Sequence, residues 1–288
     1  MAARARRLAA TASVALAVGL AGCTAPTDVP TTPPGPTATS SPSASPSPSA
    51  TPSPTPSPPQ ATTSPTPSPP APAPGVPAAL AGQDVERIPT QDDVVALTFD
   101  CGASDAGVAS ILATLAAEGV PATFFATGDF ARTYPGDLAA VAAAGHRLGN
   151  HSDTHAHYPQ LTNAQIAADL ARAEAAIVAA AGRGAAPLFR FPYGDRTPAD
   201  VRAVNAAGYL PVRWTVDSLG WQGTDGVGSA DAVTQRVLAA AAPGAVVLMH
   251  VGANPDDGTT FDADALPAVI AGLRARGYGF VTLDALLT

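Results

Sequence analysis

From about residue 80 to the C-terminus, short apolar runs alternate with longer alanine-rich stretches. The runs are VVALTF (94–99), ATFFAT (122–127), HRLGN (146–150), LFRF (188–191), LPVRWTV (210–216), AVVLM (245–249) and YGFVTL (278–283). Each has strand length, β-branched or aromatic residues are common in most of them, and the stretches between are long enough for helices. Seven such alternations predict an α/β fold in which a parallel sheet or barrel is wrapped in helices. One helix is predicted in detail: Thr162 and Gln165 stand at capping-box spacing, and Ile166, Leu170, Ile177 and Val178 then fall on one face, giving a helix over 162–180.

The N-terminal part breaks this pattern. Residues 1–22 begin with Arg4, Arg6 and Arg7, continue through an apolar stretch too short to span a bilayer unaided, and end in small residues, the features of a secretory leader. The ending LAGC resembles the lipobox of bacterial lipoproteins, which implies a diacylglyceryl anchor on Cys23 and an exported, lipid-anchored protein on the extracellular face of the cell membrane. Residues 23–80 are rich in Pro, Ser and Thr and almost free of large apolar side chains, so they cannot bury enough surface to offset the entropy of ordering. They read as a disordered linker, and at ~3.1 Å per residue in polyproline geometry it would reach on the order of 100 to 170 Å. Residues 81–288 are left for a single folded domain.

Charge narrows the partners. Subtracting the three leader arginines takes the formal net charge from -8 to -11, and the chain has no lysine. Such a domain is unsuited to nucleic acid or to docking on anionic lipid, so membrane contact is expected through the Cys23 anchor alone. With Cys23 lipidated, Cys101 has no disulfide partner in the chain.

The residues able to do chemistry are few, and nearly all follow an apolar run directly. Asp100 and Cys101 follow the first, His151 and His155 the third, Arg190 to Tyr193 the fourth, Asp217 and Trp221 the fifth, and His250 the sixth. In a parallel α/β barrel these positions share the C-terminal rim, where active sites are built. Taken singly, each has an ordinary explanation. Asp100 could cap a helix, His151 and His155 could be surface histidines, with His157 beside them exposed, PYG could be a plain turn, and His250 could be a hydrogen-bonded core histidine.

Taken together, their order and spacing resemble the five motifs of the polysaccharide deacetylase family, the NodB-homology carbohydrate esterases of family 4. Thr98, Phe99, Asp100, Cys101 and Gly102 match a Thr-Phe-Asp-Asp-Gly motif except at Cys101. His151, Ser152 and His155 match the second motif, and Arg190, Pro192, Tyr193 and Gly194 the third. Gly220 and Trp221 stand where Asp-Trp is usual, and Leu248 and His250 match the fifth. The resemblance implies a distorted (β/α)7-type barrel and a metal-dependent hydrolase that removes acetyl groups from a polysaccharide. Peptidoglycan leads as substrate, with chitin-like oligomers, acetylated xylan or a non-catalytic glycan-binding role as rivals.

Carried over position by position, the resemblance makes Asp100 the general base, Arg190 the group that keeps it ionised, and His250 the general acid. His151 and His155 would hold a divalent metal, zinc first, and the Tyr193 backbone N–H would face the oxyanion. Pro192, Tyr193, Trp221 and Leu248 would line the sugar groove. Cys101 stands where a third metal ligand is expected: it could ligate as a thiolate, leave a weaker two-histidine site, or point into the core. Gly220 removes the usual partner of His250, for which Asp217 is the expected substitute. The stretch ANPDDGTTFDADA (253–265) is expected to form a rim loop beside His250.

Overall fold

The structure, a computed structural model, describes residues 75–288. The proposed leader and nearly all of the linker lie outside the described residues. Eight strands and seven α-helices follow in the order β1 (Val94–Cys101), α1 (Val108–Glu118), β2 (Thr123–Ala126), α2 (Gly128–Thr133), α3 (Pro135–Ala143), β3 (Arg147–Asn150), α4 (Asn163–Ala181), β4 (Leu188–Phe189), α5 (Pro198–Ala206), β5 (Leu210–Pro211), β6 (Val216–Asp217), α6 (Ala230–Ala239), β7 (Ala245–His250), α7 (Phe261–Arg274) and β8 (Gly279–Phe280). Every strand pairing is parallel, and the sheet order is β5-β4-β3-β2-β1-β7-β6, with β8 added on β1. This is the curled α/β barrel that the alternating runs predict.

The run LPVRWTV is where pattern and structure part. It was expected as one strand, yet it supplies β5 at one end of the sheet order and β6 at the other. Residues 212–215 cross between the two edges. Val212 N–H donates to Phe189 O, Arg213 N–H to Val85 O, and Thr215 N–H to Val246 O, so the crossing backbone is satisfied on both sides.

Strand alternation sorts the core into layers. Val95, Leu97, Phe99 and Cys101 of β1 point outward into the cluster shared with the surrounding helices, together with Val247 and Met249 of β7. Ala96, Phe125, Leu188, Leu210, Val212 and Val246 fill the barrel interior. A third cluster lies under α4 and α5, where Ile166 and Leu170 meet Phe189, Val201 and Val204. The capping box of α4 forms as expected from Thr162 and Gln165. Val178 does not join the buried face: it is exposed, and Ile166, Leu170 and Ile177 carry the packing.

One glycine ties this packing to the site. Gly149 of β3 lies opposite Phe125 of β2, and a Cβ there would stand 2.4 Å from Phe125 Cδ1. The Phe125 ring in turn lies under the Arg190 guanidinium, 4.2 Å from ring centroid to Cζ. Gly149→Ala is therefore expected to destabilise the protein by about 1–3 kcal/mol in urea unfolding. Gly136→Ala at the start of α3, where nothing lies within 4 Å of the added methyl, should be neutral or stabilising by up to ~1 kcal/mol.

Candidate active site

Period-two alternation turns Thr98 and Asp100 of β1 inward, next to Leu248 and His250, their register partners on β7. Arg190, at the end of β4, crosses the interior to meet them and is fully buried. Its Nη1 donates to Asp100 Oδ1 at 2.7 Å, its Nη2 to Thr98 Oγ1 at 2.9 Å and to Arg213 O at 3.3 Å, and its Nε to Val212 O at 3.1 Å. A buried guanidinium with its donors so occupied is a fixed positive charge. Burial is the strongest single influence and would raise the Asp100 pKa, but Arg190, the foremost of the opposing groups, together with His151 and His250 holds the carboxyl below its ordinary value.

The NHSDTH segment follows β3 as a braced loop. Ser152 and His155 both take positive φ, 73° and 58°, uncommon for non-glycine residues and the kind of backbone found at functional sites. Ser152 N–H donates to Asn150 Oδ1 and His155 N–H to Ser152 Oγ, each at 2.9 Å. Asp153 anchors the loop through Arg132 and Arg172, both at 2.7 Å, and its N–H donates to Asp169 Oδ1. The bracing brings His151 and His155 together, ring centroids 4.9 Å apart. His151 Nδ1 lies 2.9 Å from Arg190 O, which fixes it as the N–H and leaves Nε2 facing Asp100 Oδ2 at 3.3 Å. Burial lowers the pKa of His151 and takes that of His155 down to about 4, so both are neutral at pH 7.

These residues meet in a cleft of about 510 Å³, lined among others by Asp100, His151, His155, Tyr193, Trp221 and His250. Tyr193 and Trp221 are large exposed aromatics on its walls, 60% and 47% accessible. Tyr193 adopts φ 59° and stacks on His157, whose ring is exposed as expected and paired with Asp195 at 3.0 Å. Leu248 lies in the cleft wall; Pro192 is buried and does not line the cleft, whereas its neighbour Phe191 does.

Two expectations are corrected. Asp217 borders the cleft, but its oxygens are engaged by Leu219 N–H at 2.9 Å and Trp221 Nε1–H at 3.4 Å. The carboxylate against His250 is Asp262, from the first turn of α7: its Oδ2 accepts the His250 backbone N–H at 2.8 Å and lies 3.5 Å from Nδ1. The stretch expected as a rim loop is helical from Phe261 onward, and the partner of His250 comes from that helical end. Cys101 is the second correction. Because Asp100 points inward, Cys101 points outward, fully buried against the helix layer with Sγ 3.9 Å from Phe99 O. Burial, with the Asp100 charge beside it, pushes its thiol pKa well up and keeps it protonated.

A divalent metal needs converging, deprotonated donors. The two neutral imidazoles qualify, but Cys101 supplies no third donor, and among the described residues no three His, Cys, Asp or Glu side chains form a metal-holding group. The residues present do not fit a centre with three protein ligands.

Comparison with known proteins places this geometry among relatives. A family model described as polysaccharide deacetylase matches residues 87–212. The peptidoglycan-N-acetylglucosamine deacetylase of Bacillus cereus is 33% identical over 193 residues, 67% of each chain. A chitooligosaccharide deacetylase of Rhizobium leguminosarum bv. trifolii is 36% identical over 218 residues, 72% of this chain and 95% of the relative. Among solved structures, a CE4 family pseudoenzyme from Bacillus anthracis superposes with a TM-score of 0.62 at 27% identity, covering 68% of this chain and 66% of that one.

The placement of Cys101 is directly measurable. In a Cys23→Ser chain, where Cys101 is the only remaining thiol, Ellman's reagent should react with the unfolded protein and not with the native one. Cys101→Ala should leave divalent-metal binding unchanged. Fast native-state reaction that zinc suppresses would instead put the thiolate in the cleft.

Proposed function

The chain belongs to the polysaccharide deacetylase family and is a hydrolase of the acetamide carbon–nitrogen bond; we propose that its substrate is an N-acetylated amino-sugar polymer of the cell wall, peptidoglycan first. The observation that carries the reading is the inward pair Asp100 and His250 on neighbouring strands, with Arg190 holding Asp100 as an ionised base.

In this reading Asp100 takes a proton from water as the water oxygen attacks the acetamide carbonyl carbon. The resulting oxyanion is stabilised by the Tyr193 backbone N–H at its left-handed turn. His250, protonated, then gives its proton to the sugar nitrogen as the carbon–nitrogen bond breaks, so the products are acetate and a free amine. Several carboxylates favour that protonated state. Burial pulls the His250 pKa down, but Asp262, Asp100 and Asp217 outweigh it and leave it raised. Tyr193 and Trp221, both exposed in the cleft lining, offer aromatic surface to sugar rings.

The relatives named for peptidoglycan and chitooligosaccharide both support an amino-sugar polymer. Peptidoglycan is preferred because of the N-terminal segment: a lipid on Cys23 and a long proline-rich tether would hold the domain against the cell's own wall. Radiolabelled fatty acid should enter the wild-type protein in the producing cell and not Cys23→Ser; equal labelling of both would remove the anchor from the proposal.

Activity decides the rest. The full chain should release acetate from N-acetylglucosamine oligomers and from wall glycan strands, and Asp100→Asn should lower kcat by about 10²–10⁴-fold with little change in glycan binding. Glycan binding without acetate release in the wild type would favour a binding role, towards which the missing third ligand at Cys101 and the likeness to a pseudoenzyme structure point.

A further inference from the structure

Asp262 is 3% exposed, and its carboxylate lies over Gly220. A Cβ on Gly220 would stand 2.3 Å from Asp262 Oδ1 and 2.5 Å from Cγ, so a side chain at 220 would force this carboxylate out of its present position. Asp262 Oδ2 is held by the His250 backbone N–H at 2.8 Å. Its other oxygen and His250 Nδ1 are both buried without a hydrogen-bond partner among the described residues. At 3.5 Å, Nδ1 and Oδ2 form a charge pair rather than a closed hydrogen bond, and a small ring rotation would close it. A buried ring nitrogen left without a partner 3.5 Å from a buried carboxylate oxygen is a costly arrangement unless a proton joins them.

We propose that Asp262 is the positioning residue of His250, and that Gly220 is glycine so that this carboxylate can reach the ring from α7. The proposal rests on the reading of His250 as proton donor. Asp262 fixes Nδ1–H towards itself, which leaves Nε2 for the cleft. It also favours the imidazolium that donates the proton. The carboxylate that such a histidine needs therefore arrives from a helix N-terminus, not from the strand-end segment where Trp221 stands, and position 220 has yielded the space.

The other ionisable groups around His250 are Asp100 on β1, Asp217 at the end of β6, and His151 and His155 on the loop after β3. Donation needs the protonated ring, so activity falls as pH rises through the His250 pKa; loss of Asp262 lowers that pKa and moves the falling limb to lower pH.

The test is an NMR titration of the His250 imidazole in the full, chelator-treated chain, beside the kinetics of acetate release. Asp262→Asn should lower the His250 pKa by about one unit or more, shift the alkaline limb of kcat/KM the same way, and reduce kcat roughly 10- to 100-fold with KM little changed. The exchange variant Asp262→Gly with Gly220→Asp should recover most of both losses, and it keeps the test open if Asp262→Asn folds poorly. An unchanged His250 titration in Asp262→Asn, or an exchange variant that is folded yet restores neither titration nor rate, would overturn the proposal and reduce Asp262 to packing. Absence of acetate release in the wild type would count against the deacetylase reading alone, because the titration still decides the pairing.

Discussion

Arg190 places a full positive charge where water does not reach, and the interior of the barrel is arranged around that fact. An isolated buried cation is too costly to keep, so each of its three nitrogens must find a partner, and they do in Asp100, Thr98 and the carbonyls of Val212 and Arg213. Phe125 and Trp214 cover the faces of its guanidinium. These partners come from the central strand β1, from β2 and from the crossing segment after β5. Removing either charge of the Arg190–Asp100 pair would strand the other, at about 3–5 kcal/mol. The same constraint that organises the interior thus fixes the carboxylate assigned as base, with its orientation set before any substrate arrives.

Around that pair the site is asymmetric. On one side the braced loop after β3 presents two neutral imidazoles, and on the other β7 presents His250, whose pKa the surrounding carboxylates raise against the effect of burial. A base, an acid and two nitrogen donors in one cleft are the elements of amide hydrolysis. Among the described residues no third protein donor joins His151 and His155, and at Cys101 the reason is geometric: β1 stays regular through residue 101, so an inward Asp100 sends Cys101 outward.

The sheet, its order of strands and helices, and the rim on which the polar residues gather were legible because each depends on local alternation and on a parallel barrel putting all strand ends on one face. The motif spacing brought Asp100, His151, His155 and His250 to one cleft, as found, with Arg190 buried and paired to Asp100. Less legible was anything set by contacts remote in the chain. LPVRWTV reads as one strand because its residues suit a strand; that it serves both edges of the sheet follows from partners far away in sequence, Phe189 and Val246. Gly220 read as a lost carboxylate, although its lack of a side chain is what admits Asp262. The outward direction of Cys101 was available in principle, since VVALTFDC alternates without a break, and only the motif made a ligand of it.

The central claim is that Arg190 makes Asp100 an ionised base in a buried place, and the carboxyl group reports it directly. In the full, chelator-treated chain with ¹³C-labelled aspartate, assigned through Asp100→Asn, the Asp100 carboxyl signal should stay at its ionised position down to a pH below the ordinary aspartate midpoint of about 3.9. An Asp100 that titrates at or above that ordinary value would mean that burial outweighs Arg190, and the base would then have to be sought elsewhere in the cleft.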